Sequence, residues 1–575
     1  VRLLALLLAL LALLLPEGWY DALPPRLADV PPPPIRGTTL LRALLGAQAA
    51  ALLAASWRDW RWTTLPANAR LHAFAPRAEP DDLDATRSGW WLAAITTLGL
   101  ALRVHGIDTE LWIDELLTLD HYAREPLAVI VGSYRTSNNH LLVSLLMKAS
   151  VAAFGDAEWS VRLAAVGFGV ATIPALYRVA RLAASRRASL GAALLLAVSY
   201  HHIDLSQSAR GYGAHLCLAL LATRAFVDGL HADRLRHWAT YAAATVLGFT
   251  ALLTTMFVVA AQGVLAILAV LLVRRAGGDA GALARRLAVV FAVTGALCLD
   301  AYAVALPEAY MMLTTAYAKP FTGVSVTWSA LLAEVTRSVS DGIGTGGILA
   351  AVPFLALAAA GLVALWRRHW GVTLALALPG VLLLVLLAAR GMTVTLRQFL
   401  LWLPLAIVTA VVAIDVLARR LARRRASGRR VAFAGAVGLL AMVFLAALPR
   451  YYAVPKQPWR AALAWLEARR GPDDLVIALH AAAPGVRHYA ADLGPDASPH
   501  YVTASDTTEF DTLLATRGTR PVRLVTTVEQ VLALQHPRLL ARVLDRFQRD
   551  TTFAATLRGG EVTLWSERIG GDAPP

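Results

Sequence analysis

Two cysteines, three lysines and 16% charged residues in a chain of 575 mark out what this sequence is not. Cys217 and Cys298 each lie in an apolar run with no second Cys or His at ligand spacing. That excludes a disulfide framework and a cysteine-based zinc site. Soluble domains are about a quarter charged, so a chain at 16% with 57% hydrophobic residues is not a water-soluble globule throughout. The polar tail carries no GxGxxG, no Walker loop and no zinc spacing, and no internal repeat stands out.

Arginine and membrane-length apolar runs are abundant. Net charge is +15, and the only lysines are Lys148, Lys319 and Lys456. The arginines fall in short gaps between apolar runs, which is the positive-inside pattern of a polytopic membrane protein and argues against a nucleic-acid partner. Apolar runs occur at about 2–17, 38–56, 89–104, 159–177, 188–203, 211–227, 237–253, 255–273, 287–305, 347–366, 371–389, 397–417 and 431–448. Bilayer spans need about 20 apolar residues, so their edges are soft. The first run reads as a short membrane helix in preference to a signal peptide, because Arg2 is a thin basic region and no small-residue cleavage site follows.

The arginines also set the orientation. If Leu141–Phe154 lies along the membrane surface without crossing, the gaps with Arg178, Arg181, Arg186 and Arg187, with Arg234 and Arg236, and with Arg274, Arg275, Arg285 and Arg286 share one side. Arg367, Arg368 and the Arg419–Arg430 cluster join them there, and that side is cytoplasmic. The opposite face receives the loop of Asp114 and Glu115, the Pro307–Gly346 loop and the tail after Arg450.

From about Pro455 the pattern changes. Helices are expected at Pro458–Arg470, Pro484–Leu493, Thr508–Thr516 and Val528–Phe547, and strands at Leu475–Leu479, Tyr501–Val502 and Val522–Thr526. Phe553–Leu557 and Val562–Trp565 read as a hairpin around Gly559–Gly560. Such alternation predicts a small α/β domain. The expected fold is mainly α: a transmembrane bundle of about 11 core spans and about two N-terminal ones, followed by a soluble α/β domain. The expected divisions are 1–88, an apolar extension with a polyproline break at Pro31–Pro34 and a polar loop from Arg58 to Arg87; 89–449, the membrane domain; and 450–575.

Four polar constellations map to the arginine-poor face. Asp114 and Glu115 stand side by side after an apolar run, where repulsion and partial burial would raise one pKa and suit a general base. They also suit the acidic first turn of a helix over Leu116–Arg124. Ser137-Asn138-Asn139-His140 opens Leu141–Phe154 as an N-cap or as an anion-binding helix start. Ser206-Gln207-Ser208-Ala209-Arg210-Gly211-Tyr212 holds one arginine at the foot of an apolar helix, either a snorkelling anchor or a guanidinium fork for phosphate. Arg390-Gly391 with Thr395-Leu396-Arg397-Gln398-Phe399 offers the same pair of readings. Together, carboxylates and arginines on one face suit an anionic lipid headgroup and a hydroxyl awaiting deprotonation.

The order of these motifs, with Phe154-Gly155-Asp156-Ala157-Glu158-Trp159-Ser160-Val161-Arg162-Leu163 between them, resembles the GT-C superfamily of integral membrane glycosyltransferases. It is most similar to the bacterial branch related to protein mannosyltransferases and lipid A aminoarabinose transferases. The likeness runs from about Gly89 to Arg460, and Lys456-Gln457-Pro458-Trp459-Arg460 resembles that branch's passage into a periplasmic domain. It implies sugar transfer from a polyprenyl-phosphate donor to a glycan, lipid or protein acceptor at the periplasmic face of the bacterial inner membrane. Asp114, with Glu115 beside it, would take the catalytic role; His140, Arg210 and Arg397 would bind the donor phosphate; Asn139, Gln207 and Tyr212 would line the substrate. Relatives often place proline after the His or Lys, where this chain has Leu141 and Leu142, and Glu where it has Ser208. No cofactor is required by this chemistry, and there is no dedicated metal cluster, although Asp114 with His140 offers a weak divalent-metal pair. A lipid-linked sugar flippase or a non-catalytic envelope scaffold is the alternative; the flippase would draw on in-span acids such as Asp300 and Asp415.

Overall fold

The computed structural model describes residues 2–16, 34–56, 65–69, 83–134, 136, 138–311, 314, 348–390, 396–421, 426–493, 500–556 and 560–568. Most of the Pro31–Pro34, Arg58–Arg87 and Pro307–Gly346 segments, together with Ser137, Gly391, Thr395, Leu557 and Gly559, lie outside the described residues. The chain packs into two compact units. One comprises Val1–His105, Glu125–Ala149 and Arg162–Leu448; the other comprises Gly106–Arg124, Ser150–Val161 and Pro449–Pro575.

The first unit is helical. Helices form over every apolar run of the sequence, because a backbone in hydrocarbon must satisfy its own N–H and C=O groups. Eight of the described helices are long and apolar enough to cross a membrane, or nine if one bent pair counts as a single crossing. Leu141–Phe154, at 14 residues, is shorter than those. The long helix Ile348–Ala389 breaks at His369 (φ −142°, ψ 51°), so the two runs expected on either side of it are two helical segments. Tyr212–Ala232 packs on Leu235–Ala251, and Leu403–Leu421 packs against Ile348–Ala389. Leu176, Leu195, Leu196, Phe226, Leu230, Leu265 and Ile407 contribute to a continuous apolar core.

One expected span is not continuous. Residues 188–203 read as a single apolar run, but the structure has Arg186–Ala197 and Tyr200–Ser206, bent by 60°. No proline causes the bend; a buried arginine from another helix holds it open, as described below.

The second unit contains a five-stranded sheet, with β1 (Leu475–Leu479), β2 (Tyr501–Ala504), β3 (Val522–Thr527), β4 (Phe547–Phe553) and β5 (Val562–Glu567) in the order β2-β1-β3-β5-β4. The first three are parallel, with Ile477 opposite Val502 and Leu524, and β5 runs antiparallel to both β3 and β4. All five residues of β1 are buried, as expected of a central parallel strand covered on both faces. Phe510, Leu532, Leu539, Val543, Phe547 and Trp565 pack with Leu475, Ile477 and Leu479.

Three expectations are corrected in this unit. The long helix over Val528–Phe547 is two helices, Glu529–Gln535 and Pro537–Arg546, because Pro537 cannot continue a helix and His536 turns out of it (φ −130°, ψ 60°). The first hairpin strand is Phe547–Phe553, not Phe553–Leu557. Near the start of this unit, the helix expected at Leu116–Arg124 runs over Ile113–Thr118 and widens to a π-turn over Leu119–Ala123.

Candidate active site

In the first unit the Arg210 segment is built outward from the bent helix pair. Arg103, at the end of helix Ala85–Val104, is fully buried. Its guanidinium donates to the carbonyls of Gly99 (2.8 Å), Ala197 (3.0 Å) and Leu196 (3.5 Å), to Ser206 Oγ (3.2 Å) and to His202 Nδ1 (2.6 Å). Ala197 and Leu196 end the first half of the bent pair, where helix carbonyls lack intrahelical donors, although Leu196 O also accepts from Ser199 N at 3.3 Å. Arg103 supplies those donors across the break. His202 accepts at Nδ1, which puts its proton on Nε2. Gly169 permits the neighbouring helix to come this close, since a Cβ there would sit 2.3 Å from Ser206 Oγ.

Replacing Arg103 with leucine should therefore destabilise the membrane unit. Each buried polar group left unpaired costs about 1–3 kcal/mol, and several are exposed at once. We expect a loss of at least about 2 kcal/mol, read as a fall in the thermal midpoint of the detergent-solubilised protein. An unchanged midpoint would show that the bend holds without this residue.

Gln207 continues the same scaffold. Its Nε2 donates to Arg103 O (2.9 Å) and His105 O (2.7 Å), closing the end of helix Ala85–Val104. Arg210 follows, itself buried. Its Nη2 donates to Asn138 Oδ1 at 2.8 Å and its Nε to His140 Nε2 at 3.3 Å. The guanidinium carbon lies 5.2 Å from the centre of the Tyr212 ring, within cation–π range. Arg397, exposed, donates from Nη1 to the Tyr212 hydroxyl at 3.3 Å. Gly211 is required between Arg210 and Tyr212, because a Cβ there would fall 1.9 Å from Ala251 O and 3.3 Å from His140 Nδ1.

Burial, reinforced by the charges of Arg210 and Arg397, holds the pKa of His140 well below the usual histidine value, so the ring is neutral near pH 7. It hydrogen-bonds the Ala251 backbone as well as accepting from Arg210. His140 thus serves as a neutral bracket that aims the guanidinium. Asn138 and Asn139 divide the work. Asn139 Nδ2 donates to Ile130 O (2.8 Å) and Ser133 O (2.9 Å), and its Oδ1 accepts from Ser144, so it shapes the loop while Asn138 meets Arg210. Asn138 stands in the same motif but did not stand out in sequence as the contacting residue. Nothing in the pattern separates two adjacent asparagines; only the turn of the backbone does.

The second unit holds Asp114 and Glu115 at the start of helix Ile113–Thr118. Their environments differ. Glu115 is buried, and its Oε2 accepts from Trp112 N at 2.9 Å, an N3 carboxylate capping the chain before the helix. Asp114 is half-buried, with its own carbonyl accepting from Thr118 Oγ1 at 2.8 Å. Among the described residues no group of three or more His, Cys, Asp or Glu is arranged to hold a metal ion.

Residues 139–301 match the family model of dolichyl-phosphate-mannose-protein mannosyltransferases. The crystal structure of ArnT from Cupriavidus metallidurans in the apo state superposes with a TM-score of 0.50 at 14% identity, over 84% of this chain and 98% of that one. The same protein bound to undecaprenyl phosphate gives 0.49 at 14% identity, over 86% and 100%. The oligosaccharyltransferase AglB from Archaeoglobus fulgidus, in complex with an inhibitory peptide and a dolichol-phosphate, gives 0.45 at 14%, over 84% and 75%. No curated protein sequence matches the chain. The chain has the fold of ArnT, with described helices long and apolar enough for a multi-pass membrane protein. The segment that the mannosyltransferase family model matches contains His140, Arg210 and Tyr212.

Proposed function

We propose that the chain transfers a sugar from a polyprenyl-phosphate donor to an acceptor hydroxyl at the periplasmic face of a bacterial inner membrane. The observation that carries this reading is the buried Arg210, oriented by Asn138 and His140 beside Tyr212, which also accepts from Arg397. Two side-chain acceptors at Nε and Nη2 fix the plane of the guanidinium. Such a fork suits a phosphate, which accepts two N–H bonds at once. The segment's likeness to enzymes named for a dolichyl-phosphate sugar donor supports a lipid-linked phosphate.

In the reaction, the bond between sugar C1 and the donor phosphate oxygen breaks, and its electron pair leaves with the phosphate. A bond from the acceptor oxygen to C1 forms, and the acceptor proton passes to the Asp114 carboxylate. Arg210 and Arg397 stabilise the negative charge that gathers on the departing phosphate. With cations in that role the chemistry does not require a metal. Glu115 and Gln207 maintain their segments' backbones, and Tyr212 stacks on one arginine while accepting from the other. The arginine-rich loops orient the chain with this chemistry outside the cytoplasm.

Transport is the less favoured reading, since the in-span acids it would need are engaged. Asp300 accepts from Gln48 Nε2 at 2.8 Å, and Asp415 pairs with Arg419 at 2.7 Å. The deciding experiment incubates the full chain in nanodiscs with polyprenyl-phosphate hexoses and pentoses. Liberation of polyprenyl phosphate, with the sugar recovered on an acceptor or in water, is the expected result. Movement of intact donor between leaflets with no donor consumed would replace this reading with the transporter.

A further inference from the structure

The carboxylate-bearing loop belongs to the same compact unit as the C-terminal residues, and its backbone is held there by named side chains. Leu111 N donates to the Tyr489 hydroxyl at 2.7 Å, and Leu111 O accepts from Trp459 Nε1 at 3.2 Å. Trp112 N is taken by Glu115. Ile113 N donates to Gln457 Oε1 at 2.7 Å. Three successive backbone donors before Asp114 thus have fixed acceptors, two of them on the C-terminal segment.

Each of those two acceptors is itself anchored. Gln457 is fully buried and its Nε2 donates to Thr527 Oγ1 at 2.9 Å; Thr527, the last residue of β3, donates to Glu561 O at 2.9 Å. The relay runs from the loop to the adjoining ends of β3 and β5, which pair at Thr527 and Val562. Tyr489 donates to Glu158 Oε1 at 3.3 Å, and Arg460 Nη2 reaches the same oxygen at 2.5 Å while its guanidinium stacks 4.8 Å from the Tyr489 ring. A six-residue helix has no length to fix its own start, so the direction of Asp114 is inherited from these acceptors.

We infer that Gln457 and Tyr489 are positioning residues for the catalytic carboxylate: the C-terminal domain serves the reaction by fixing the backbone from which Asp114 projects. This rests on the assignment of Asp114 as base. Misplacing a catalytic group by about 1 Å costs up to about 100-fold in rate. A shift in the loop therefore lowers kcat while leaving donor affinity, which belongs to the Arg210 cluster, unchanged.

The test uses the full chain in nanodiscs, with two readouts: amide hydrogen exchange in peptides covering residues 108–116, and steady-state kinetics with a lipid-linked sugar donor. Gln457→Leu should speed exchange there and lower kcat about 10- to 100-fold with donor KM within about twofold. Gln457→Glu keeps an oxygen for Ile113 N but loses the donor to Thr527, so it should recover only part of both. Tyr489→Phe keeps the ring and removes the acceptor for Leu111 together with the longer bond to Glu158, which Arg460 still holds, so it gives a second variant should Gln457→Leu fold poorly. Unchanged exchange in both Gln457→Leu and Tyr489→Phe, or faster exchange with unchanged kcat, overturns the inference. Wild-type turnover in Asp114→Asn would instead remove the base assignment, and the exchange data would still report whether the loop is tethered.

Discussion

Asp114→Asn is expected to lower kcat by about 100- to 10,000-fold, the range for losing a positioned general base. Asparagine matches aspartate in shape, so the loop around it should keep its hydrogen bonds while the proton acceptor disappears. Donor KM should change little, because the lost interaction develops as the acceptor oxygen bonds to C1 and not while the donor is being held. The neighbouring carboxylate gives the control. Glu115 is buried and accepts from Trp112 N, a bond that a glutamine oxygen can also make. Glu115→Gln should stay within about tenfold of wild type, the cost of weakening one hydrogen bond to a charged group. Equal losses in the two variants would mean that the pair acts as a unit. Turnover of Asp114→Asn within threefold of wild type would leave the reaction without its base. Steady-state rates on the same donor, with circular dichroism to confirm folding, decide between these outcomes.

The contrast between the two acids shows how much a sequence can say. Adjacent carboxylates at a helix start fit both a base and a cap, and pattern alone could not divide those roles. Burial and one 2.9 Å bond assign the cap to Glu115. The helices of the membrane unit were legible because apolar runs in a bilayer have few ways to satisfy their backbone. The bend between Ala197 and Tyr200 was not, because its cause is Arg103, about a hundred residues earlier in the chain. The same holds for β4. Phe547–Phe553 reads Phe-Gln-Arg-Asp-Thr-Thr-Phe, a polar stretch that follows a helix without a break in composition. Its pairing with β5 makes it a strand. Local preference lost in both places to partners distant in sequence.

Arg210→Gln is the second large expected effect, with kcat/KM falling about 100- to 1,000-fold as one preorganised donor to developing charge is removed. Because the arginine is buried, its charge is screened less than that of a surface cation would be. Arg210→Lys should recover little of the loss. An ammonium retains the charge but cannot reach Asn138 Oδ1 and His140 Nε2 together while presenting a flat pair of donors to phosphate. Arg397 is exposed and its charge is better screened than that of Arg210, so Arg397→Gln should cost less, about tenfold. His140→Gln tests the bracket separately. It should weaken donor binding without removing any cation, since the ring it replaces is neutral near pH 7. Competition binding with polyprenyl phosphate measures the affinity side of each variant, and turnover measures the rate side. If Arg210→Gln bound polyprenyl phosphate as tightly as wild type and turned over normally, the buried guanidinium would be a structural anchor for the helix that begins at Tyr212, and the phosphate would have to be held elsewhere.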